Sequence, residues 1–100
     1  MAYTKCAPNA VSSTEGDRIG FKGRSSVCFS SNDSVYLVSS EYGRDIDGKT
    51  PVVTLYIDLP WTIDGDQINA NDLNAKVKEN VLNEITMGLN VLGYKVQTSI

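Results

Sequence analysis

The stretch from Asn71 to Leu92, NDLNAKVKENVLNEITMGLNVL, decides the fold class because it holds the one long helical pattern in the sequence. Asn71 or Asp72 can cap a first turn by accepting a backbone N–H, and Gly93 is typical of a helix stop in the left-handed conformation. The residues that recur at spacings of three and four, and so share one side of a helix, are Leu73, Val77, Val81, Ile85, Gly88, Leu89 and Leu92. We therefore predict one amphipathic helix over residues 71–92 with an apolar side that packs on a sheet.

The residues before this helix alternate between apolar and polar in the manner of β-strands. The best-defined hairpin joins 27–31 to 34–38, because Asn32-Asp33 tolerates the backbone angles of a tight turn. The register that this turn imposes pairs Phe29 with Tyr36, Val27 with Val38 and Cys28 with Leu37.

Three further segments extend the predicted sheet. Residues 18–24 alternate, residues 52–59 form an apolar run between Pro51 and Pro60, and Asp64-Gly65 suits a short hairpin from Trp61 to Ile68. We predict an α+β fold in a single domain over residues 1–100. Its antiparallel sheet has four to five strands within residues 18–68, and the helix at 71–92 covers one face.

The charge pattern and the residue inventory bear on function. The net charge is −3, and the second half carries the whole deficit, with three basic residues against six acidic ones. The chain contains no histidine, so the commonest general base near neutral pH and the serine or cysteine dyads built on imidazole are missing. We expect a protein that is not an enzyme and has no catalytic residue.

Two motifs resemble ligand-binding loops, and we expect neither to bind a ligand. Residues 43–50, GRDIDGKT, match the phosphate-binding pattern G-x-x-x-x-G-K-[ST], but Pro51 and a β-branched run follow where that loop needs a helix. Asp45 and Asp47 in this segment resemble part of a calcium-binding loop. The first and last ligand positions of that loop would be Gly43 and Thr54, which lack the carboxylates that calcium needs there. The sequence therefore predicts a strand, an Asp-Gly turn and a second strand, with no cofactor and no metal.

The N-terminal residues and the two cysteines indicate the compartment. The first residues lack the apolar run of a secretory signal, and no stretch is apolar enough to span a bilayer. Cys6 and Cys28 fit free thiols, and the sequence leaves open whether they ever pair. We expect a cytoplasmic or virion protein with no membrane partner.

The leading functional hypothesis is self-association. A sheet covered by one helix leaves its other face bare, and an apolar second face would need a partner. The sequence thus predicts a structural or assembly protein that forms a dimer or larger homo-oligomer, for example a small phage or viral particle subunit. The residues expected to form that face are Val27, Phe29, Tyr36, Val38, Tyr56 and Trp61.

Two alternatives remain open. A monomeric inhibitor or immunity-type protein would use its acidic second half to bind a basic protein partner. A nucleic-acid binder would use the strand face that carries Arg18, Lys22 and Arg24, with Phe21 or Tyr42 stacking on a base. Three cations also suit an ordinary solvated strand, so we rank nucleic acid last among these partners.

Overall fold

The computed structural model describes residues 3–99, which form nine strands, one α-helix and a single 3-10 turn at Ala70–Asp72. The helix, α1, spans Ala75–Val91. The strands are β1 (Tyr3–Ala7), β2 (Ala10–Ser13), β3 (Arg18–Lys22), β4 (Ser26–Ser30), β5 (Val35–Arg44), β6 (Pro51–Tyr56), β7 (Trp61–Ile63), β8 (Asp66–Ile68) and β9 (Lys95–Ser99).

The strands form one mixed sheet in the order β1-β2-β3-β4-β5-β6-β9, with β7 paired to β5 and β8 paired to β7. All pairings are antiparallel except that of β6 with β9, which is parallel. The crossover connection between these two strands includes α1. The α+β class and the single helix near the C-terminus are confirmed. The predicted count of four to five strands is wrong, because residues 18–68 contain six strands and the β1–β2 hairpin and β9 also join the sheet. The purely antiparallel sheet is wrong as well, because β9 pairs with β6 in parallel.

The central hairpin has the predicted register. Phe29 lies opposite Tyr36, Val27 opposite Val38 and Cys28 opposite Leu37. The rings of Phe29 and Tyr36 stack with centroids 5.9 Å apart. Turn residues and strand alternation agree here, which is why local sequence alone determined the pairing.

The helix begins four residues later than predicted and ends one residue earlier, at Val91, with Leu92 as its C-cap. Asn74, rather than Asn71 or Asp72, is the N-cap, and its side chain accepts from the N–H groups of Lys76 and Val77. Gly93 adopts a φ of +94° and donates to the Asn90 carbonyl, while Tyr94 donates to the Leu89 carbonyl. These two hydrogen bonds form the Schellman motif, which ends the helix and leads the chain directly from α1 into β9.

A single core lies between α1 and one face of the sheet. The helix contributes Val81, Ile85, Gly88 and Leu89, all buried. Its backbone comes close to the sheet at Gly88, where a Cβ would lie 2.7 Å from Ile19 Cδ1 and 3.0 Å from Val11 Cγ2. The sheet residues of the core are Tyr3, Val11, Ile19, Val27, Phe29, Val38, Val53, Leu55 and Trp61.

Tyr3 ties the first strand to the helix. Its hydroxyl donates to a carboxylate oxygen of Glu84, and its ring is buried. Burial, followed by the contact with Glu84, raises the pKa of Tyr3 far above its usual value near 10. The folded protein therefore keeps Tyr3 protonated at a pH at which the unfolded chain loses that proton.

We expect the free energy of unfolding to decrease as the pH rises above about 10, the ordinary tyrosine pKa. A raised folded-state pKa gives stability that is complete below the unfolded pKa and is lost above it, by at most about 1.4 kcal/mol per pH unit for one group. Urea unfolding at a series of alkaline pH values measures the slope. Tyr3→Phe should reduce it, and an unchanged slope in that variant would contradict the assignment to Tyr3.

Candidate functional site

The uncovered face of the sheet is mainly polar, although Leu37 and Val52 also lie on it. Strand alternation places Ser26, Cys28 and Ser30 of β4 opposite the side that meets α1, and neighbouring strands add residues such as Thr54 and Gln97. Gln97 donates to the Thr54 hydroxyl across the β6–β9 pair, 2.8 Å away. Such a face is stable in water and needs no apolar partner to cover it.

The residues predicted for self-association do not form an exposed face. Val27, Val38 and Trp61 are fully buried, and Phe29 is 4% exposed, because they point into the core beneath α1. Tyr36 is half-buried against the same core. Tyr56 alone lies on the opposite side of the sheet, where its hydroxyl donates to Glu41. The prediction that these six residues form an apolar second face is therefore wrong, because all of them except Tyr56 belong to the core beneath α1 or pack against it.

The predicted anion contacts separate into two places. Arg18 and Lys22 lie on the polar face of β3 and line a shallow depression of about 430 Å³ with Gly20 and Ser30. Arg24 lies beyond the end of β3, in the turn to β4, and borders a different pocket. The structure thus places two of the three cations on one strand face and the third at one end of the molecule.

The pocket beside Arg24 places three aromatic rings and one cation around one concave surface. It has a volume of about 420 Å³, and we call it the aromatic pocket; its lining residues are Asn9, Phe21, Gly23, Arg24, Ser40, Tyr42 and Tyr94. It forms because β4 pairs with β5 only as far as Ser39, so the rest of β5 has a strand neighbour on one side only. The turn after β3 and the residue after the helix stop close the remaining sides.

Three aromatic rings form the wall of this pocket. The Tyr94 ring meets Phe21 edge-on at 5.3 Å between centroids and Tyr42 edge-on at 5.7 Å. Burial, followed by the neighbouring Tyr42, raises the pKa of Tyr94, so its hydroxyl is uncharged at neutral pH. Tyr42 is 52% exposed and offers ring surface to a ligand. The sequence pointed to Phe21 and Tyr42, but not to Tyr94, whose position depends on the helix stop.

The end of the molecule that holds this pocket carries more cations than carboxylates. The last residue of β3, the β5–β6 hairpin and the first residue of β9 meet there. We call this region the basic end; its cations are Lys22, Arg24, Arg44, Lys49 and Lys95, and its carboxylates are Glu41, Asp45 and Asp47. Its formal charge is positive although the whole chain has a net charge of −3.

Each carboxylate of the basic end has a partner. Asp45 Oδ2 lies 2.9 Å from Lys95 Nζ, which is the single ion pair within residues 3–99, and this contact lowers the pKa of Asp45. Glu41 accepts from Tyr56. Hydrogen bonds from Thr50 and Lys49 lower the pKa of Asp47. Arg24, the cation that lines the aromatic pocket, has no carboxylate partner in the described part of the chain.

The loop that matches a phosphate-binding motif is a turn between two strands, as predicted. Arg44 ends β5 and Pro51 begins β6. The Asp47 carboxylate accepts from the N–H groups of Lys49 and Thr50 and from the Thr50 hydroxyl at 2.8–3.0 Å. A carboxylate of the protein thus occupies the amide groups that a phosphate would need.

Neither a metal centre nor a spanning segment stands out between Tyr3 and Ser99. In that range no cluster of three metal-ligating side chains is present, and the helix is too short and polar to cross a membrane. Cys6 is exposed and Cys28 is half-buried, both as free thiols.

Two outer edges of the sheet, those of β1 and β9, differ, and the three-residue β8, which carries Asp66, is a third edge strand. The β1 edge carries the exposed Lys5 and a bulge between Lys5 and Ala7, two features that hinder pairing with another strand. The β9 edge pairs with β6 over five consecutive residues without a bulge. Its one charged residue, Lys95, is already paired with Asp45.

Comparison with known protein families, curated sequences and solved structures gives no match. Function must therefore be inferred from the geometry of the β9 edge and of the aromatic pocket.

Proposed function

We propose that the protein is a non-enzymatic, self-associating structural protein whose copies pair through the edge of β9. The observation behind this proposal is the contrast between a protected β1 edge and an unprotected β9 edge. An open edge strand presents unpaired N–H and C=O groups to any second strand, and natural proteins use charge, proline or bulges to prevent such pairing. Between Val96 and Ser99, β9 has none of these features.

A second copy fits this edge because antiparallel pairing of two identical strands is symmetric. With Gln97 on the two-fold axis, Lys95 faces Ser99 of the other copy and Val96 faces Thr98. No like charges then oppose each other, and the sheet continues from one copy into the next. A closed two-fold dimer of this kind is the commonest form of self-association and is a suitable building block for a larger particle such as a virion.

Light scattering coupled to size-exclusion chromatography tests the proposal. We expect a mass near twice the chain mass of 10.9 kDa. Gln97→Lys places two lysines opposite each other on the axis and should weaken the dimer roughly five-fold, since like charges directly opposite on paired strands repel. Hydrogen exchange should show slower exchange of β9 amides in the dimer than in that variant.

Thr4→Lys is the matched control, because it adds the same charge to the exposed β1 edge. It should leave the dimer intact. A monomer at every concentration would reject the proposal and favour the acidic inhibitor instead. Dissociation by Thr4→Lys with no effect of Gln97→Lys would assign the interface to β1 and also reject it.

A further inference from the structure

We propose that the aromatic pocket binds single-stranded nucleic acid, with a base against Tyr42 and Tyr94 and a backbone phosphate at Arg24. This site is separate from the β9 edge and does not depend on the proposed dimer.

The ring surface suits an unpaired base. Tyr94 and Phe21 hold each other edge-on at 5.3 Å, which fixes the inner wall of the pocket. Tyr42 projects from the part of β5 that lacks a second strand neighbour and remains half exposed. Base–aromatic stacking tolerates any base, but it needs a base whose face is free, which a duplex does not offer.

The charge suits a phosphate. Arg24 lines the pocket, and its side chain is exposed. The carboxylates of the basic end are bonded to Lys95, to Tyr56 and to backbone amides, and within residues 3–99 none of them forms an ion pair with Arg24. An arginine beside aromatic rings is the combination that single-strand binders use for backbone and base together.

The space suits a flexible chain. The volume of about 420 Å³ lies within the range of ligand pockets, and it opens to solvent at the end of the sheet. At Gly23, which has a φ of +67°, a Cβ would meet no heavy atom within 4 Å, so the turn beside Arg24 leaves the pocket entrance clear.

Fluorescence anisotropy with a labelled oligouridylate of about 12 nucleotides, a length typical of single-strand sites, tests the proposal at low salt. Tyr42→Ala should weaken binding roughly tenfold, as loss of one stacked base does, and Tyr42→Phe should restore it. Arg24→Ala should weaken binding and lower the slope of log K against log salt concentration by about 0.7, the value for one phosphate contact on a single strand.

Lys76→Ala is the matched control for Arg24→Ala, because it removes one exposed cation near the start of α1, outside the basic end. It should change the affinity by less than two-fold, a small effect expected of a distant charge. The Gln97→Lys variant should still bind the oligonucleotide. An error in the proposed dimer and an error in the proposed binding site would therefore give different experimental results.

Three results would reject the proposal. The first is no binding at low salt. The second is an equal loss of affinity in Tyr42→Ala and Lys76→Ala, which would indicate that the oligonucleotide is held only by nonspecific electrostatic attraction. The third is equal affinity for a duplex of the same length, which would mean that the rings do not contact a base. Loss of self-association in Tyr42→Ala without any oligonucleotide binding would assign the pocket to a second copy of the chain.

Discussion

Leu89→Ala should destabilise the protein by about 3 kcal/mol, within the range measured for truncation of a fully buried leucine. Leu89 has 0% exposure and lies on the face of α1 that meets the sheet, near the C-terminal end of the helix. The substitution slightly favours the helix itself, so the loss measures packing between layers rather than helix propensity. Since domains of this size have a free energy of unfolding of about 5–15 kcal/mol, this one leucine supplies a large share of it.

Thermal and urea unfolding measure this loss. The midpoint of thermal unfolding should decrease by at least about 10 °C. The fluorescence of Trp61, the one tryptophan in the chain, is a direct probe because its side chain is buried in the same core. Leu59→Ala is the control, since the same atoms are removed from a side chain that is 45% exposed. Equal effects of the two substitutions would contradict the layered core.

The parts of the fold that local sequence specifies were the parts that could be predicted. The turn at Asn32-Asp33 and the alternation around it fixed a register, and Gly93 fixed a helix stop. The β1–β2 hairpin was missed because its strands are short and each buries little: Tyr3 on one, and Ala10 and Val11 on the other. A signal was present in the Pro8-Asn9 turn between two short alternating segments.

The remaining parts depend on contacts between distant residues. The parallel pairing of β9 with β6 joins segments that are 43 positions apart, as in the pair of Val52 with Lys95, and no local pattern encodes it. The candidate site follows from the same pairings. The aromatic pocket exists because β5 continues past β4 and because the helix stop directs Tyr94 toward Phe21. The sequence could supply candidate rings and cations, but not the geometry that joins them.

The apolar face expected for self-association illustrates one general difficulty. Alternation shows that Val27 and Val38 share a side, but it does not show whether that side meets the helix or a partner. The structure places the helix on it. The opposite side carries mainly serine, threonine and charged residues, with Val35, Leu37, Val52 and Tyr56 among them. We therefore propose assembly at the sheet edge rather than at the sheet face.

Gly88→Ala should destabilise the protein by about 1–2 kcal/mol, although alanine is a better helix former than glycine by up to about 1 kcal/mol. A Cβ at this position would lie 2.7 Å from Ile19 Cδ1, 3.0 Å from Val11 Cγ2 and 3.1 Å from Ile19 Cβ. The Ile19 Cδ1 atom can rotate away, whereas its Cβ is fixed to the backbone of β3. The helix must therefore move outward from β2 and β3, which loosens the contact that Leu89 and Ile85 make on either side.

A double-mutant cycle separates this overlap from any other effect of the added methyl group. Ile19→Val removes Cδ1 alone, so Gly88→Ala should cost less in that background, with a coupling of at least about 0.5 kcal/mol between the two positions. Asn90→Ala, at an exposed position of the same helix, should leave stability equal or slightly higher. If Gly88→Ala matched Asn90→Ala in urea unfolding, α1 would lie farther from β3 than these distances imply. The close approach at Gly88 would then not be what holds the helix in register with the sheet.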